Sequence, residues 1–224
     1  MKLYCLSSNI KVLKCYDSNL MIHFSFLKSV LLFNCCESCQ YLIINNNHKI
    51  NNISIIILTD MHISNLSGLV GLLSSLNLLG RIKSLHIYGP KDLANYLELN
   101  KKYSHTNFCY VIYIHILTPG LVISNHNYKI YSLGYNYEHN FLIIEKEKTG
   151  AFLASKALSN GLVPNSLYSR LKKGLIFLLP DGCLLSGNSF TCYNLHGSQV
   201  SFVSDRYYRR KNLETLSGSE AIFF

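Results

Sequence analysis

The sequence predicts an α/β protein whose sheet is partly parallel, and three stretches carry that prediction. Residues 53–58 form a short, continuous, largely β-branched run, the pattern of a strand buried on both faces. Between residues 66 and 79 the apolar side chains fall near helical spacing, and Gly80 follows where a C-cap is expected. Residues 84–88, ending in Gly89-Pro90, read as another strand, and 91–101 as a second helix. Strand, helix, strand, helix is the order of a βαβ unit.

The flanking segments follow from the same patterns. Residues 19–33 hold two apolar runs around a turn-like Leu27-Lys28-Ser29 and read as a hairpin, while 40–47 read as the start of a short helix ended by the polar stretch 45–48. Residues 108–117, 121–124 and 141–146 read as further strands. No internal repeat and no linker of disordered composition interrupts the chain. At 224 residues, one domain with a substantial core is the simpler expectation.

Composition narrows the partners. Lys and Arg number 21 against 12 Asp and Glu, a net charge of +9, which favours polyanions such as RNA over acidic proteins or neutral metabolites. A basic balance with no specific ligand is also common in RNA-rich compartments. Eight cysteines at irregular spacing point to reduced thiols packed as small hydrophobes, and the lone Cys36-x-x-Cys39 lacks the second pair of a structural zinc site. The N-terminus shows no export signal, and no apolar run approaches the roughly 20 residues that span a bilayer. Abundant Asn, Ile, Lys, Tyr and Leu with scarce Ala suggest an AT-rich organellar genome, with a plastid the expected compartment.

The candidate site is the loop 58–65, Leu-Thr-Asp-Met-His-Ile-Ser-Asn, placed at a strand end before a helix. That loop, the block Asn34-Cys35-Cys36-Glu37-Ser38-Cys39-Gln40, the block Leu85-His86-Ile87-Tyr88-Gly89-Pro90, the strand Ile143-Ile144-Glu145-Lys146 and the segment 161–174 closely resemble ribonuclease Z. The resemblance covers most of the chain, with its blocks in the family's order. It implies the metallo-β-lactamase fold, a four-layer αββα sandwich, and the removal of the 3′ trailer from precursor tRNA by hydroxide held on two zinc ions. It also implies one domain over residues 1–224 with a tRNA-binding arm near 150–190, and a chain that stops before the family's last segments and final histidine ligand. Such an end would leave sheet surface for a partner, and a homodimer is the partner the resemblance suggests.

The departures fall on the ligands. Against the family's T-H-x-H-x-D-H, the chain reads Thr59, Asp60, Met61, His62, Ile63, Ser64, Asn65. His62 is retained, Asp60 and Asn65 stand in place of histidines, and Ser64 replaces the aspartate that serves as metal ligand and catalytic base. A serine hydroxyl lacks that basicity, and an amide oxygen suits hard cations rather than zinc. The block 132–135 lacks the family's next histidine, and His139, four residues further on, would replace it only through an altered loop. Asp205 matches the aspartate that bridges the metals. The expectation is therefore a loop that is the remnant of a metal site, with His62 a capping or hydrogen-bonded imidazole, Asp60 a cap or solvated carboxylate, and no bound metal. The arm is kept better: Arg170, Lys172 and Lys173 cluster as a tRNA-gripping projection requires, with Asn165 holding a left-handed turn. A second basic run holds Arg206, Arg209, Arg210 and Lys211. Both basic segments also fit a solvated surface without a partner.

The function expected is that of a ribonuclease Z-like protein whose catalysis is lost and whose residual role is binding tRNA or precursor tRNA. Two alternatives stand beside it. One is an active endonuclease with a non-standard metal site of Asp60, His62, His139 and Asp205; the other is a non-catalytic relic or structural partner.

Overall fold

A computed structural model describes residues 2–5, 10–14, 19–24, 28–135, 138–147, 150–179, 182–192, 197–203, 219 and 221–223. The chain divides into two compact units, one of 1–125, 129–143 and 199–224, the other of 126–128 and 144–198.

The first unit is built on a seven-stranded sheet in sequential order: β1 (Lys2–Cys5), β2 (Ile10–Lys14), β3 (Leu20–Phe24), β4 (Val30–Phe33), β5 (Ile53–Ile57), β6 (Leu85–Gly89) and β7 (Ile112–Ile116). β1 to β4 form an antiparallel meander, and β4 to β7 run parallel. Parallel strands require crossovers. These are α1 (Cys39–Asn45) between β4 and β5, α2 (Ile63–Leu66) and α3 (Leu69–Leu78) between β5 and β6, and α4 (Leu93–Ser104) between β6 and β7.

One face of this sheet packs on the helices. Met21, Leu32, Ile56, Leu85 and Ile87 of the strands meet Ile43 of α1, Leu69, Leu72, Leu73 and Leu76 of α3 and Leu93 of α4 in one buried cluster. The α3 residues recur at the spacing of one helical face, and each such burial contributes about 1.5–3 kcal/mol. The other face meets a second sheet, in which β14 (Ala221–Phe223), β13 (Gln199–Phe202), β10 (Glu138–Glu145), β9 (Tyr128–Tyr135) and β8 (Gly120–Ser124) lie in that order. Phe33 of β4 packs on Phe141 of β10 and Phe202 of β13, with ring centroids 5.3 Å apart in each pair. All three rings are fully buried.

The second unit holds α5 (Ala154–Ser159), α6 (Ser166–Lys172) and the hairpin β11 (Ile176–Leu178) and β12 (Leu184–Ser186). Ala157, Leu162, Leu171 and Phe190 form its small core, with Phe152, Tyr168, Phe177 and Leu185 against it.

Several expectations change. The helix expected over 66–79 breaks at Ser67-Gly68, where the Gly68 amide donates to the Cys35 carbonyl at 2.9 Å instead of along the helix; a Cβ on Gly68 would sit 1.9 Å from the Cys36 carbonyl oxygen. The strand expected over 108–117 shortens to β7, since Tyr110 turns into the helix-side core and donates its hydroxyl to the Leu73 carbonyl at 2.9 Å. The cysteines are not all packed as hydrophobes. Cys35 and Cys39 are buried, Cys36 is half-buried, and Cys109, Cys183 and Cys192 are exposed thiols.

Candidate functional site

Two signals place the loop after β5. Asn34, directly after β4, takes a φ of +56°, a conformation that asparagine tolerates better than most residues. From there its Oδ1 accepts both the Thr59 amide at 2.9 Å and the Thr59 hydroxyl at 3.1 Å. On the other side the Cys35 amide donates to the Asn65 carbonyl, and the Gly68 amide to the Cys35 carbonyl. The chain segment after β4 thus pins both ends of the loop. Sequence reasoning quoted Asn34 without a role for it; an Asn directly after a buried strand was the available signal.

Within this frame Asp60 and Asn65 have turned to one another. Asp60 is buried, and its Oδ1 accepts the His62 amide at 2.9 Å and the Asn65 side-chain amide at 2.8 Å. Asn65 Nδ2 also reaches Thr59 Oγ1 at 3.3 Å, so the hydrogen bonds run in one direction, Asn65 to Thr59 to Asn34. Reversing the Asn65 amide would set its oxygen against the Asp60 carboxylate, which fixes the orientation. His62 is exposed and caps α2: its Nδ1 accepts the Ser64 amide at 3.2 Å and lies 3.0 Å from the Ser64 hydroxyl. Asp60 is accordingly neither a solvated carboxylate nor a helix cap, because Asn65 and the His62 amide draw it inward.

His139 reaches this loop from the second sheet. It lies within β10, fully buried, where its amide donates to the Thr59 carbonyl at 3.2 Å and its Nδ1 pairs with Ser132 Oγ at 2.8 Å. Asp205 lies outside the described residues, as do Arg206, Arg209, Arg210 and Lys211. Among the described residues no three His, Cys, Asp or Glu side chains gather as a metal-holding group.

A pair of zinc ions needs several histidine nitrogens and carboxylate oxygens converging on open coordination positions. Asn65 presents hydrogens rather than a lone pair, His62 Nδ1 is taken up by the helix cap, and Asp60 Oδ1 already accepts two bonds. Asp60 Oδ2 is also buried, and no hydrogen bond reaches it among the described residues. These residues do not fit a two-zinc centre.

The other candidate residues lie in the second unit. Asn165 is extended, with φ −154°, rather than left-handed, and its Oδ1 accepts the Leu167 amide at 2.8 Å as the N-cap of α6. The correction has a local cause, since an N-cap side chain bonds the first turn from extended backbone. Leu171 is buried beneath the helix, while Arg170, Lys172 and Lys173 are exposed, and none of the three pairs with a described carboxylate.

Two facing sheets, with helices against the first and a loop at the end of β5, define a protein of the metallo-β-lactamase fold. The metallo-β-lactamase fold protein YhfI of Bacillus subtilis aligns with a TM-score of 0.57 at 12% identity, over 96% of this chain and 68% of that one. The chain is a homologue of ribonuclease Z proteins. It is 30% identical to ribonuclease Z of Microcystis aeruginosa over 86% of its own length and 62% of that protein. It is 33% identical to the uncharacterized protein ycf56 of Porphyra purpurea, over 81% of this chain and 70% of that one. It spans about three fifths of the length of the ribonuclease Z relatives it matches. No protein-family model matches it. Among the described residues no helix is long and apolar enough to cross a membrane.

Proposed function

We propose that this chain is a ribonuclease Z-like protein that binds tRNA or precursor tRNA and does not cleave it. The observation that carries this reading is the Asp60–Asn65 hydrogen bond at 2.8 Å, which joins two ligand positions directly. With Ser64 in place of the family's aspartate, the loop lacks the side chain that serves the family as catalytic base, and this reading includes no hydrolytic step. The unit of residues 126–128 and 144–198 is the arm in this reading. Arg170 and Lys173 lie one helical turn apart with Lys172 between them, a spacing suited to consecutive phosphates. The +9 net charge supports the same class of partner. A plastid location is part of the proposal, supported by composition and by the relationship to the ycf56 protein of Porphyra purpurea.

The test is incubation of purified protein with a precursor tRNA carrying a 3′ trailer, with zinc or manganese added. Binding without cleavage is expected. Replacing Arg170, Lys172 and Lys173 together by alanine should flatten the log–log salt dependence of binding by about two units. Cleavage that His62→Ala abolishes would overturn the reading, and an unchanged salt slope would remove the arm from it.

A further inference from the structure

β6 and β7 carry a feature that the ribonuclease Z reading does not use. The strands pair in parallel with His86 beside Tyr113 and Tyr88 beside His115. Side chains alternate across a strand, so Leu85 and Ile87 enter the helix-side core while His86 and Tyr88 take the other face. On that face the row Phe33, Ile57, Tyr88, His115 crosses four neighbouring strands. Phe33 and Ile57 are fully buried, whereas Tyr88 and His115 are half-buried and Tyr113 is 48% exposed.

Four rings stack on this open stretch. Tyr113 lies on His86 at 4.9 Å between centroids, His86 on His115 at 5.3 Å, and His115 on Tyr88 at 4.4 Å, all within 17° of parallel. The ring faces are used against one another. The two phenols therefore clamp the two imidazoles, whose nitrogens approach edge to edge: His86 Nδ1 lies 3.1 Å from His115 Nε2.

We propose that His86 and His115 form a two-histidine site for a borderline divalent metal ion of the Ni2+, Cu2+ or Zn2+ class, with water filling the remaining positions. Two observations carry it. The first is the separation: two imidazole nitrogens at bond lengths of about 2.0–2.1 Å span 3.1 Å when they subtend about 100° at the metal, between the square-planar and tetrahedral angles. The second is orientation, because the Tyr88 and Tyr113 rings already hold both imidazoles in place, which reduces the ordering cost of binding. As the ion enters, the proton shared between the rings gives way, and each imidazole keeps one proton on its far nitrogen, Nε2 of His86 and Nδ1 of His115. No net proton is released from the neutral pair.

Calorimetric titration of the full chain with Ni2+ at pH 7.5 is the experiment. One equivalent should bind, at least tenfold more weakly in His86→Gln and in His115→Gln, each shown to be folded by its thermal transition. A second readout needs no variant. Ni2+ should slow carbethoxylation of His86 and His115, followed by mass spectrometry, while leaving the exposed His105 unchanged. Unaltered binding in both variants would assign the ion to the thiols and overturn the proposal. Equal modification rates with and without nickel, or no binding at 1 mM nickel (roughly the weakest affinity worth calling a site), would overturn it too.

Discussion

The loop after β5 and the start of α6 both place polar side chains at a helix N-terminus, and they direct them in opposite ways. In the loop, the cap is His62, and its neighbours Asp60 and Asn65 bond each other. In α6 the cap is Asn165, so Arg170, Lys172 and Lys173 face solvent. Both helix starts are satisfied. The difference is which residues satisfy them: the loop meets its backbone requirements with the side chains of Asp60 and His62, whereas α6 meets them with Asn165. Asn34, Thr59 and Gly68 hold the shape of the loop.

The sharpest way to break this contrast is at the frame. Gly68→Ala sets a Cβ 1.9 Å from the Cys36 carbonyl oxygen, backbone against backbone, and should lower stability by about 3 kcal/mol, measured by urea unfolding. A loss below about 1 kcal/mol would mean that the loop is not pinned there. Asn34→Ala strips the buried Thr59 amide and hydroxyl of their acceptor and should cost about 2 kcal/mol by the same measurement. Removing the α6 cap with Asn165→Ala should cost about 1 kcal/mol and weaken RNA binding, read by filter retention, because the helix that presents the cations frays. If affinity is unchanged, the cations act without the helix.

The smallest effect is with pH. His86 is held below the usual imidazole range in the folded protein by burial, with His115 adding to it, so the unfolded chain takes up a proton at higher pH than the folded one. The stability this group contributes is present above the unfolded value and lost as pH falls through the folded one. The thermal midpoint should therefore fall modestly between pH 7 and pH 5, less so in His86→Gln. An identical drop in the variant would place the proton elsewhere.

Legibility in the sequence follows the range of the interactions. The run at residues 53–58, the spacing of Leu69, Leu72, Leu73 and Leu76, and the hairpin of β3 and β4 were readable because each is a local pattern of burial. Strands β1 and β2 and the elements of the second unit carried weaker patterns, and they form only through their pairing partners. The substitutions at 60, 64 and 65 were likewise visible as changes of residue type. Their consequence was not, since the direction of the Asn65 amide depends on Thr59 and, through it, on Asn34, 31 residues earlier in the chain.

By itself the sequence determined the alternation of strand and helix, the likeness to ribonuclease Z, the positive charge and the residue types in the loop, because residue type and spacing are enough for each. Only the tertiary structure decided that Asn34 holds Thr59 across β4 and β5, that His139 bonds the loop from the facing sheet, and that His86 and His115 meet across β6 and β7. The physical reason is the same in each case: a hydrogen bond of about 3 Å requires a partner in a particular place, and that place is set by strand register and sheet packing rather than by neighbours along the chain.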